Sequence, residues 1–295
     1  MQAILAVQFV INYEEGAESC ILHGDTESEC LLSEIVGAQP LQGARNITME
    51  SMYGYGSRAG FWRLHRLFVS KGLPVTVYAC GMALERNPAA GKAMVEAGWE
   101  VASHGYRWID YKDVDEAVER EHIRKAVEVT TKVCGQRPVG IYQGKPSVNS
   151  RRREGAWPPF LPILIVEEGG FLYDADAYDD DLPYWNTEYG RPHLVVPYTL
   201  DVNDMRFATP QGFNSGDQFF TYLRDAFDVL LEEGRSGAPK MLSIGLHCRL
   251  VGHPGRIKAL GQFLDHVKKA GSDVWVCKRE DIARHWHEKH PITRL

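Results

Sequence analysis

Short apolar runs punctuate the chain, and amphipathic stretches separate them. Ala3 to Ile11, Val75 to Cys80, Trp99 to Ala102, Val139 to Tyr142, Phe171 to Tyr173, Leu194 to Tyr198, Met241 to Leu246 and Val274 to Cys277 are nearly free of charge. Runs of that length without polar alternation are strands covered on both faces. Between them the period shifts to that of a helix. Gly60 to Lys71 stops at Gly72, Pro88 to Ala97 starts from Asn87 with Pro88 in its first turn, and Asp113 to Cys134 stops at Gly135. Ile163 to Gly170, Ser215 to Glu233, Arg256 to Ala270 and Glu280 to His290 complete the set. Strand–helix alternation of this kind predicts parallel βα units in an α/β fold. About seven such units suit a closed barrel better than an open sheet. No internal repeat or linker interrupts residues 1–295, which read as one domain.

Composition narrows the partners. The chain has 295 residues, 44% hydrophobic and 24% charged, with a net charge of −6. No basic stretch is interleaved with aromatics, so nucleic acid is excluded as a partner. No apolar run reaches the length of a membrane span, which excludes a membrane. The six cysteines are scattered without a CxxC pair. That usage suits reduced thiols and a cytoplasmic protein better than a disulfide frame. Met1 to Val10 has neither a basic start nor a small-residue cleavage site and does not read as a signal peptide.

Candidate chemistry lies where strands end. Glu14 and Glu15 follow the first apolar run, His104 follows Trp99 to Ala102 with Gly105 behind it, and His247 follows Met241 to Leu246 directly. Parallel neighbours would bring these groups to one end of the fold, where α/β proteins gather their chemistry. Because strand side chains alternate, one of the two glutamates points into such a site and the other away. A carboxylate beside a histidine can drive water onto an amide carbonyl. Arg137 and Asp204 are candidates for the same rim. The acidic run Asp174 to Asp181 lacks the glycine at position six of a calcium loop and has Trp185 at position twelve, so an EF-hand is rejected. The Pro183-Tyr184-Trp185 that follows could instead wall a small polar ligand. His285 to His290 does not have metalloprotease spacing and reads as a solvated terminal helix.

Taken together, Asn12-Tyr13-Glu14-Glu15-Gly16, Glu50-Ser51 with Tyr55-Gly56-Ser57-Arg58-Ala59-Gly60, Ser103-His104-Gly105-Tyr106-Arg107-Trp108-Ile109-Asp110-Tyr111, Arg137-Pro138-Val139-Gly140, Asp180-Asp181-Leu182-Pro183-Tyr184-Trp185 and Leu246-His247-Cys248-Arg249 resemble the polysaccharide deacetylase (NodB-homology) superfamily. More narrowly they resemble its allantoinase-like branch, which includes proteins labelled chitin or polysaccharide deacetylase. The resemblance covers nearly the whole chain. It implies a distorted (β/α)7 barrel and hydrolysis of a non-peptide carbon–nitrogen bond. The family's catalytic base and its neighbouring metal-holding carboxylate map to Glu14 and Glu15. Its His-x3-His metal pair maps to His104 and Trp108, its Arg-Pro motif to Arg137-Pro138, and its late acid histidine to His247.

Trp108 is the departure from the family pattern, because an indole cannot ligate zinc. Glu15 and His104 alone fall short of the three ligands of a catalytic zinc. No metal is therefore expected to be obligatory, with a weak or residual zinc at Glu15 and His104 left open. The resemblance then implies that Glu14 or Glu15 activates water, His104 and His247 handle protons, and Arg58 or Arg137 holds the substrate oxygen. Trp108 and Trp185 would narrow the pocket, with Asp204 also on its wall. The expected function is opening of a cyclic amide or ureide such as allantoin. A chitin or peptidoglycan N-deacetylase acting on an N-acetylated sugar is the alternative, and an inactive ligand-binding homologue the second. A homo-oligomer is expected. Relative to the branch, a segment before the first strand is missing, and Arg153 to Ile163, with Trp157-Pro158-Pro159 and Phe160-Leu161-Pro162, reads as an insertion.

Overall fold

A computed structural model of the chain describes residues 3–146, 163–187 and 192–292. In chain order the elements are β1 (Leu5–Tyr13), α1 (Ile47–Tyr55), α2 (Phe61–Lys71), β2 (Thr76–Ala79), α3 (Gly81–Arg86), α4 (Pro88–Glu96), β3 (Glu100–Ser103), α5 (Glu116–Cys134) and β4 (Gly140–Ile141). They continue with α6 (Ile163–Glu168), β5 (Tyr173–Asp174), β6 (Tyr184–Asn186), β7 (His193–Val195), α7 (Gly216–Arg235), β8 (Lys240–His247), α8 (Pro254–Lys269), β9 (Val274–Val276) and α9 (Arg279–Lys289). Each apolar run forms a strand and each amphipathic stretch a helix, with ends displaced by up to three residues. The caps act as the sequence predicts. The Asn87 side chain accepts from Ala90 N at 3.4 Å, and Gly72 and Gly135 close α2 and α5 in the left-handed region at φ 62° and 75°. Residues 153–162 of the expected insertion lie outside the described residues, and α6 begins at Ile163.

The contacts gather into two compact units. The first holds Met1–Thr76 and Thr199–Cys277. Here β1 pairs in parallel with β8, in register from Leu5↔Lys240 to Asn12↔His247, and with β9 from Leu5↔Val274 to Val7↔Val276. Phe9 of β1 packs on Phe68 of α2 at 5.3 Å and on Phe263 of α8 at 6.3 Å between ring centroids. Burial of such rings supplies roughly 2–3 kcal/mol each. That packing holds β1 and β8 flush, so Glu14 and His247 leave the sheet at the same edge.

The second unit holds Val77–Tyr198 and Lys278–Leu295. Its strands β3, β4, β5 and β7 run parallel through Ser103↔Ile141, Ile141↔Asp174 and Asp174↔Val195, and β6 closes one edge antiparallel to β7. Ile123 of α5 packs with Ile141, Leu164 and Ile165 under these strands, and Phe171 covers them. α9 docks through Arg279, which is fully buried and donates to the carbonyls of Val196 and Pro197. All six cysteines are free thiols. Among the described residues no helix is long and apolar enough to cross a membrane.

Candidate active site

In the first unit the ends of β1 and β8 carry a buried ionic cluster. His247, the last residue of β8, places Nδ1 2.7 Å from Asp204 Oδ1, and its backbone N–H donates to Asp204 Oδ2 at 2.8 Å. Val251 N donates to the same Oδ2 at 3.0 Å. Asp204 opens a short 3-10 turn, Asp204–Ala208, behind the Asn203 cap. Held by two backbone donors, Asp204 fixes the orientation of the imidazole ring. On the other side His247 Nε2 faces Glu14 Oε1 at 3.4 Å. The second oxygen of Glu14 accepts from Arg249 Nη2 at 2.6 Å.

Glu15 is held differently. Its Oε1 accepts from Arg249 N at 3.2 Å and Arg249 Nη1 at 3.4 Å, and its Oε2 accepts from Glu14 N at 3.2 Å. Arg249 also donates from Nε to Leu32 O at 2.9 Å and lies 4.1 Å above the Tyr53 ring. Both glutamates are buried, which answers the alternation argument: the tight turn after β1 turns both inward onto one arginine. Glu14 keeps an oxygen toward His247, whereas both oxygens of Glu15 hold the backbone and Arg249.

Burial pushes the Glu15 carboxyl up to about 7, against the pull of Arg249 and with the help of Glu14. For His247 burial works downward, but the Asp204 and Glu14 carboxylates outweigh it and push the ring up to about 9. The resting ring is therefore an imidazolium at neutral pH, a proton donor already facing a carboxylate. Arg249, although buried, is held charged by Tyr53, Glu14 and Glu15 around it.

The second unit carries a separate cluster behind β3. His104 N donates to Ala79 O of β2 at 2.9 Å, and its Nδ1–H donates to Tyr142 O at 2.6 Å. A carbonyl can only accept, so Nδ1 carries the proton of that bond. The ring stacks on Tyr142 at 5.1 Å and packs against Trp108 at 4.8 Å. Asp176 accepts from both Gln143 N and Gly144 N at 2.7 Å and so pins the loop beneath them. That loop needs a glycine twice over. Gly144 sits at φ +76°, and a Cβ there would stand 2.9 Å from the Trp108 ring.

The first unit thus brings together Glu14, Glu15, Asp204 and His247, and the second brings together His104 and Trp108. Arg58 is exposed on the π-helical turn Gly56–Gly60, whose Gly56 packs directly on Glu15. Two expectations are corrected. Arg137 precedes β4, at the end of the parallel strands opposite to His104, and its guanidinium is tied to Glu168 at 3.1 Å and Gly169 O at 2.7 Å. Trp185 lies on the edge strand β6, donates to His290 O at 2.7 Å and packs edge-on against His287, so it anchors the terminal helix rather than walling a pocket. The acidic run is likewise structural where it is buried, since Asp174 accepts from Asp176 N and Asp176 cradles two amides. Sequence reasoning missed Arg249 and Tyr53. Arg249 was visible only as the residue two places after His247.

A catalytic zinc takes three protein donors and an open position. The positions that correspond to the family's ligands hold Glu15, His104 and Trp108. The indole offers no lone pair, and Glu15 already answers a buried guanidinium, whose charge opposes a cation at that carboxylate. Among the described residues no group of three or more His, Cys, Asp or Glu side chains could hold a metal ion. Of these three positions, only Glu15 and His104 carry side chains that can donate to a metal.

Residues 45–154 match the family model described as polysaccharide deacetylase. A curated Schizosaccharomyces pombe relative named after the polysaccharide deacetylases is 44% identical over 303 residues, spanning 97% of this chain and 91% of its own length. A crystal structure from Pseudomonas aeruginosa PAO1, described as a probable polysaccharide deacetylase, is 58% identical with a TM-score of 0.92. A crystal structure described as PuuE allantoinase gives the same identity and TM-score. Each match covers 99% of this chain and 93% of the solved one. The α/β architecture is thus the NodB-type fold that the sequence predicts, and the chain belongs to the polysaccharide deacetylase family of hydrolases.

Proposed function

We propose that this family member hydrolyses the ring carbon–nitrogen bond of a cyclic ureide such as allantoin, using its own acid–base groups. The observation that carries the reading is the Asp204–His247–Glu14 line, with an imidazolium donor 3.4 Å from a carboxylate oxygen that Arg249 holds in place. In the proposed step Glu14 takes a proton from water, and the hydroxide oxygen adds to the ring carbonyl carbon. The tetrahedral intermediate collapses with cleavage of the carbon–nitrogen bond. His247 gives its Nε2 proton to the departing ring nitrogen, leaving a carboxylic acid on one fragment edge and an N–H on the other. The proton on Glu14 then returns to His247 across the same contact. Glu14 takes the base role rather than Glu15, because both Glu15 oxygens are engaged in holding Arg249 and the Glu14 backbone.

Arg58 is the proposed partner for a substrate oxygen, since Arg137 is committed elsewhere and Arg249 to the two glutamates. The two crystal structures of equal similarity carry different descriptions, so the substrate must be argued from the site. Trp108 in the place of a metal-binding histidine favours the ureide. The test is turnover of allantoin beside acetate release from a chitin oligosaccharide. Ring opening without acetate release supports the reading. Acetate release without ring opening refutes it in favour of the N-acetylated sugar.

A further inference from the structure

Arg249 is a charged side chain almost without access to water, and its surroundings are specific. Three of its N–H groups, all in the guanidinium plane, are given to Leu32 O, Glu15 Oε1 and Glu14 Oε2. Leu32 offers its carbonyl from φ +52°, a left-handed conformation that leucine rarely adopts. Those bonds use the edge of the cation. Its face goes to Tyr53, whose ring centroid lies 4.1 Å from Arg249 Cζ. α1 puts the ring there. Asn46 caps the helix by accepting from Met49 N at 3.1 Å, and Met49 and Tyr53, one turn apart, are its buried residues. The Tyr53 hydroxyl is buried and has no hydrogen-bond partner among the described residues. Burial pushes the phenol well above its ordinary range, against the pull of Arg249, so a neutral ring faces the cation. The part of Tyr53 in use is therefore its ring.

An aromatic face attracts a cation through its quadrupole, and the attraction grows where water is excluded. Arg249 answers two carboxylates unequally, Glu14 at 2.6 Å and Glu15 at 3.4 Å. The short contact holds Glu14 Oε2 and so sets the placement of Oε1, which stands 3.4 Å from His247 Nε2. A guanidinium that drifted in its plane would loosen that contact first, and a small misplacement of a reacting group costs a large factor in rate. We propose that Tyr53 is a positioning residue: its ring face holds the Arg249 guanidinium where it orients the Glu14 carboxylate toward His247. The inference deepens the ring-opening reading and rests on it for the role of Glu14. A saturated side chain at this position would fill space without holding the cation.

The test uses the full chain, its Tyr53→Phe variant, and the same position carrying mono-, di- and trifluorinated phenylalanine. Fluorine draws electron density from the ring face and nearly preserves its shape, so a purely structural role would not follow the series. Two readouts are taken: kcat and KM for allantoin, and the exchange rate of the Arg249 Nε–H by NMR, assigned through Arg249→Lys. Tyr53→Phe should keep kcat, and its melting temperature should hold or rise, because the deleted hydroxyl has no partner. Fluorination should lower kcat stepwise, by about tenfold for the trifluorinated ring, with KM unchanged. The Arg249 Nε–H should exchange faster in the same order. An exchange rate that is flat across the series overturns the inference whatever kcat does. A flat kcat in an active chain overturns it as well, as does a Tyr53→Phe loss equal to that of the trifluorinated ring, which would place the role in the hydroxyl. Stepwise faster exchange with no allantoin turnover in any form would sustain the hold on Arg249 and refute the ring-opening reading alone.

Discussion

Glu14 and Glu15 are adjacent in sequence and differ in chemistry because one oxygen of Glu14 faces His247. Glu14→Gln keeps the shape and the Arg249 contact but removes the proposed base. The expected outcome is a loss of about a hundred- to ten-thousand-fold in kcat for ring opening, with little change in substrate affinity. A variant with undiminished kcat would move the base elsewhere. The His247 ring makes a second prediction, on stability. Asp204, Glu14, the more distant Glu15 and Arg249 are the charged groups around it. Its folded value of about 9 stands above the ordinary 6.5, so the folded state holds the proton more tightly than the unfolded state. The stabilisation is full below pH 6.5 and is lost as pH rises through 9, on the order of 3 kcal/mol. Glu15, raised to about 7 from 4.5, works in the same direction at lower pH. Thermal melts from pH 6.5 to 9 should show a falling midpoint that flattens in His247→Gln. A midpoint that rises over that window would contradict the imidazolium assignment.

At the scale of elements, the turn after α1 sets the floor of the carboxylate cluster. A Cβ on Gly56 would overlap the Glu15 carboxylate, whereas one on Gly54, within α1, meets nothing within 4 Å. Gly56→Ala should therefore destabilise the fold by about 1–3 kcal/mol and lower turnover by displacing Glu15 and Arg249. Gly54→Ala should be neutral or stabilising by up to about 1 kcal/mol. Denaturant melts of the pair separate close approach from helix propensity, and equal midpoints would refute the packing claim. The same region marks the limit of what the sequence made legible. Strands such as Val75 to Cys80 and helices such as Ser215 to Glu233 announce themselves by burial pattern and caps. α1, with the sequence Ile-Thr-Met-Glu-Ser-Met-Tyr-Gly-Tyr, has no apolar stripe, and the π-helical Gly-Ser-Arg-Ala-Gly turn that follows carries no helix signal of its own. Glu14, Glu15 and His247 could be suspected because each stands at or just past a strand end. The Arg249 pairing could not, since it spans 234 residues to Glu15 and depends on the β1–β8 register, which no local pattern encodes. Arg137 failed in the opposite way. Its Arg-Pro neighbourhood looked like a motif, but it enters its strand instead of leaving it.

For the molecule as a whole, the question is whether its hydrolysis needs a metal, and the argument runs through donors rather than through descent. A family relative that holds zinc would lose turnover on chelation and regain it with the ion. In this chain Arg249 answers Glu15, so a cation added there would have to compete with a buried guanidinium. Two cationic groups, His247 and Arg249, already lie on the first unit's carboxylates. Allantoin turnover is therefore expected to persist after exhaustive chelation, and added zinc should not raise it. The expectation can be checked on one preparation by assaying before chelation, after it, and after zinc is returned. Turnover that disappears with the chelator and returns with zinc would mean that donors outside the described residues complete a metal site. In that event Glu14 and His247 would act beside a metal rather than in its place.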